Sequence, residues 1–111
     1  MADQPKTEQK IDQKGQPLDD QFFDRADEYI RLANQQCREI DATKVSASFM
    51  YGLARFHTWL TAASYGSAEE LKARRVETMT YFMQQYKAML EENWQDYVDN
   101  FDQYLPKKKP N

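Results

Sequence analysis

Cysteine and histidine occur once each in this 111-residue chain, at Cys37 and His57. A lone thiol closes no internal disulfide, and one thiol with one imidazole falls short of a zinc ligand set. Glycine is scarce as well, at three residues. No glycine-rich phosphate cradle, Walker lysine motif or nucleophile elbow is spelled anywhere. Carboxylates abound, yet the Glu-x-x-His pair of a carboxylate-bridged metal site in a helical bundle is missing, because Ala54 stands three residues before His57. These absences predict a protein with no cofactor and no metal, and one that is not an enzyme.

A long hydrophobic run is also lacking. The most apolar stretch, VSASFMYGLARFHTWLTAASYG from Val45 to Gly66, is interrupted by Arg55 and by Ser, Thr and His, and is a poor membrane span. The first seventeen residues, MADQPKTEQKIDQKGQP, contain no apolar segment of signal-peptide type. Together with the single cysteine, this predicts a cytoplasmic protein with no membrane association.

The charge is uneven. Residues 1–17 balance at zero and residues 106–111 carry Lys107, Lys108 and Lys109, so the net of −3 leaves the body, 18–105, at −6. An acidic body repels phosphate backbones, and no nucleic-acid partner is expected. Residues 1–17 hold too little apolar surface to offset their ordering entropy and are expected to be a disordered tail. The basic end, 106–111, is expected to fray likewise, with Pro106 stopping the preceding helix.

The body reads as all-α, a small antiparallel three-helix bundle in one domain, with a long third helix that either continues or breaks into a short fourth. The first helix begins at Asp19 or Asp20 as N-cap and carries a stripe from Phe22/Phe23 through Ala26, Tyr29/Ile30, Ala33 and Cys37 to Ile40. Asp41 caps the second helix after a very short connection, which demands an antiparallel neighbour. The second helix has a main stripe through Phe49/Met50, Leu53, Phe56/His57 and Leu60, and a second line through Ser48, Gly52, Arg55 and Trp59. Glycine inside a helix costs about 1 kcal/mol relative to alanine. Gly52 is therefore expected to admit a close backbone neighbour, with the second helix covered on more than one side. Gly66 ends that helix, and Ser67 with Glu70 has capping-box spacing for the third.

A continuous third helix from about Ser67 to about Asn100 would extend on the order of 50 Å, against on the order of 30 Å for the first. The surplus lies in NWQDYVDNFDQYL, where Trp94, Tyr97, Val98, Phe101, Tyr104 and Leu105 keep the apolar spacing. Aromatics bury about 150–250 Å² each. Either the chain bends near Asn93 or Asn100 and doubles back, or a second copy covers this end.

At the residue level, His57 is expected to be hydrogen-bonded at a helix interface, Cys37 to be a small buried side chain, and the methionines, Met50, Met79, Met83 and Met89 among them, to fill core gaps. Arg55 must reach solvent or pair with an acid. The segments FFDRADEYIRLANQQC, KVSASFMYGLARF and YFMQQYKAMLEENWQDY together resemble a family of small uncharacterised proteobacterial proteins known only as a domain of unknown function. The resemblance spans roughly residues 20–104. It implies a bacterial, cytoplasmic, all-helical protein and transfers no catalytic or binding residue.

The resulting expectation is a helical protein–protein interaction module, possessing the capacity to self-associate, with Gly52, Arg55, Trp94, Tyr97, Phe101 and Tyr104 as candidate partner-binding residues. The competing reading is a small-ligand binder or enzyme built on Arg55 and His57 in a bundle pocket.

Overall fold

A computed structural model describes residues 17–105. Of the expected tails at 1–17 and 106–111, all but Pro17 lie outside the described residues. Every regular element described is helical: α1 (Phe22–Gln36), α2 (Ala42–Ser64), α3 (Ala68–Ala73), α4 (Arg75–Asp99) and α5 (Phe101–Tyr104). The fold is all-α, as the spacing predicts.

The boundaries follow local chemistry. Asp19 stands two residues before the α1 boundary residue, Gln21, and starts the helix from outside: its Oδ1 accepts from the Gln21 N–H at 3.0 Å and its carbonyl from Phe22 N–H at 3.1 Å. Arg25, one turn in, grips the same carboxylate at 3.1 and 2.7 Å. Asp41 initiates α2, with Oδ1 accepting from Thr43 N–H at 3.2 Å. At α3, Ser67 Oγ accepts from Glu70 N–H at 3.2 Å, one arm of the capping box.

The expected third helix is not continuous. Arg74, with φ −96° and ψ 6°, is a turn residue that closes α3 through N–H bonds to the Glu70 and Leu71 carbonyls, and α4 starts at the next residue. With 25 residues, α4 is about 38 Å long. A second break falls at Asn100, one of the two anticipated positions; its side-chain amide donates to the Asp96 carbonyl at 3.0 Å and to Asp96 Oδ1 at 2.9 Å.

The chain divides into two compact units, residues 1–56 and 57–111, and the division falls within α2. The first unit holds α1 and the beginning of α2. Phe22, Ala26 and Ala33 of the expected α1 stripe are half-buried, and Val45 of α2, 3% exposed, is the only buried residue among those described.

The second unit holds the end of α2 with α3, α4 and α5. Its α2 segment lies antiparallel to α4. His57 stacks on Phe82, and Tyr65, eight residues later, meets Arg74, eight residues earlier than Phe82. Between these contacts Thr61 and Thr78, each four residues along, are both half-buried. The antiparallel expectation holds for this pair.

Burial departs most from expectation. Met50 is 65% exposed, Met83 69%, and Met79 and Met89 are exposed too, so the methionines do not fill a core within the chain. Cys37 is exposed in the turn after α1 rather than buried. A Cβ added at Gly52 would meet nothing within 4 Å among the described residues. No neighbour among the described residues presses on that glycine. Helical spacing identifies an apolar face without identifying the surface that covers it.

Candidate functional site

Candidate residues fall into two groups. The first, on α2, comprises Gly52, Arg55 and His57. On a helix of 3.6 residues per turn, Arg55 and His57 are about 200° apart around the axis, so they point away from each other. Arg55 is exposed and takes part in neither described ion pair, Arg25–Asp19 or Arg74–Glu77. His57 is half-buried with its ring flat on Phe82, centroids 4.0 Å apart and planes 6° from parallel. Loss of hydration holds its pKa below the usual 6.5. The ring serves as packing surface, through stacking rather than the hydrogen bond that was expected. The two residues do not converge on a shared concave site.

The second group, at the end of α4 and on α5, is brought together. Tyr97 and Tyr104 rings lie 4.6 Å apart, tilted by 41°. The Tyr104 hydroxyl donates to Asp96 Oδ2 at 3.0 Å, and that bond to a carboxylate, with some burial, holds the phenol above its usual pKa of 10. Asp96 is therefore a hub the spacing missed: its backbone and side chain accept from both Asn100 and Tyr104 and fasten α5 against the last turns of α4. The only hint in the sequence was the acid-aromatic alternation from Asp96 to Tyr104.

This doubling-back does not cover the aromatics. Trp94 remains 69% exposed, and Tyr97, Val98, Phe101 and Tyr104 are exposed as well. On the other long helices Ile30, Tyr51 and Trp59 are also exposed. Large apolar side chains are thus exposed on each of the three long helices.

Arg74 pairs with Glu77 at 3.2 Å, and its guanidinium carbon lies 5.9 Å from the centre of the Tyr65 ring, a cation–π distance. Among the described residues, no three Cys, His, Asp or Glu side chains are grouped to hold a metal ion. No helix among them is long and apolar enough to cross a membrane.

Comparison with known proteins agrees with this picture of a fold without recognised chemistry. A family described as protein of unknown function (DUF3144) matches residues 22–98, and the chain belongs to it. The chain is similar to the NMR structure of the protein NB7890A from Shewanella sp., at 44% identity, over 83% of this chain and 98% of that one, with a TM-score of 0.67. No curated protein matches.

Proposed function

We propose that this member of a family with no established activity is a non-catalytic helical protein–protein interaction module that self-associates, as a homodimer, in the cytoplasm. One observation carries the reading: large apolar side chains lie exposed along α1, α2 and α4, while Val45 is the sole buried residue among those described. A domain's stability rests on apolar burial of about 25 cal/mol per Å², and a chain that buries so little by itself needs another surface to complete its core. A second copy is the partner always present in equal amount, and two-fold dimers are the commonest assembly. The compartment is inferred from the lone cysteine, which fits a reducing environment.

Light scattering coupled to gel filtration tests this. The expected mass is twice the 13.2 kDa of one chain. A clean monomer at high micromolar concentration overturns the proposal. Trp94→Ala and Phe101→Ala are expected to weaken assembly while leaving helical content near wild type, since both side chains are exposed within the single chain.

A further inference from the structure

Resting on the self-association just proposed, we infer that α4 is the dimer's spine: it packs antiparallel against α4 of a second copy along Val76, Met79, Met83, Tyr86, Leu90 and Tyr97.

Three observations support this. The first is spacing. These six residues, with Asn93 between the last two, follow one another at intervals of three and four without a break. This is the alternation of a and d positions in a heptad repeat, the pattern for a seam between two helices. All six are exposed; Val76, at 73%, is the most open. Phe82, which meets His57, lies beside the repeat: Met79, Tyr86 and Tyr97 are about 40–60° from it around the axis and Val76, Met83 and Leu90 about 80–120°. One side of α4 is therefore occupied by α2 of its own chain and the adjoining side presents the repeat.

The second is area. Six large side chains at about half to three-quarters exposure, with Trp94 and Phe101 beside them, present on the order of 800 Å² per chain, about what each partner contributes to a standard stable interface.

The third is charge, and it sets the direction. Lys72, Arg74 and Arg75 around the start of α4 are balanced by Glu69, Glu70 and Glu77, whereas Glu91, Glu92, Asp96, Asp99 and Asp102 fill its end and α5. Parallel helices would set five carboxylates beside five. Antiparallel helices set each acidic end beside the partner's charge-balanced start, which removes that repulsion.

Asn93 adds a detail. It occupies a d position, and its side-chain amide donates to the Met89 carbonyl of its own helix at 2.8 Å. A polar residue in such a seam fixes register at a cost in affinity.

The experiment uses the full chain with Cys37→Ser, carrying a nitroxide label at one introduced cysteine: Glu77→Cys, Ala88→Cys or Asp99→Cys, all outside the repeat. Interchain distances by pulsed electron paramagnetic resonance are expected to be shortest at 88 and longer at 77 and 99, since 22 residues of axial offset at position 77 amount to about 33 Å. A dimer with equally short distances at 77 and 88 has parallel helices and overturns the inference. Dissociation constants by analytical ultracentrifugation provide the second arm. Asn93→Leu is expected to tighten the dimer about tenfold and Leu90→Asn to loosen it by at least as much. A dimer indifferent to both variants sinks the α4 seam and leaves self-association standing; a monomer sinks both.

Discussion

His57 shows how a single residue can be read too chemically. Unique in the chain and set in an apolar stretch, it looks like a general base in waiting, yet its neighbour is the flat face of Phe82 and its partner in the catalytic reading, Arg55, points the other way. Because desolvation holds its folded pKa below 6.5, the unfolded chain binds the proton more readily than the folded one. The contribution of His57 is thus present above pH 6.5 and is lost as the pH falls through the lower, folded value. Urea titrations from pH 7.5 to pH 5 are expected to show stability declining on the acid side, and His57→Gln to flatten that decline; an unchanged slope would contradict it. Position and apolar setting of His57 were legible in the sequence. The stacking partner, 25 residues away on another helix, was not.

Among the elements, helix starts were the most legible because their chemistry is local. Asp41 and Ser67 each place one side-chain oxygen on an amide two or three residues ahead, and the residues that do so are adjacent in the chain. Ser67→Ala is expected to cost about 1 kcal/mol, read as a lower urea midpoint at unchanged slope. The break at Arg74 was not legible, since no glycine or proline marks it. It is held by contacts of the arginine with Tyr65, in the turn after α2, and with Glu77. The Asn100 break was half-legible, as one of two candidate asparagines, and only the geometry reveals that Asp96 fastens it. Asp96→Ala removes the acceptor for both Asn100 and Tyr104. Amide protection of Gln103 to Leu105 is expected to drop in hydrogen exchange, and the Tyr104 phenol to titrate closer to its usual value of 10. Unaltered protection would mean that α5 is held by something else.

At the scale of the molecule, the inventory of apolar residues was right and their assignment was wrong. Periodicity marked Met50 and Met83 as facing a core, and expected flanking helices of the same chain to provide it; each is more than 60% exposed. At Gly52 the close approach that was expected is not made among the described residues. If assembly supplies the missing burial, unfolding and dissociation are one event and the melting temperature depends on how much protein is present. Scanning calorimetry over a hundredfold range of concentration is expected to show the midpoint rising with concentration. A midpoint independent of concentration would mean that the single chain is stable alone.

If the protein self-associates as proposed, the burial of Val45 alone among the described residues also bears on the protein's life in the cell. Newly made chains that have not yet met a companion would be open to proteases, and scarcity would hasten their clearance. Expression level would then govern not just how many molecules exist but what fraction of them survive.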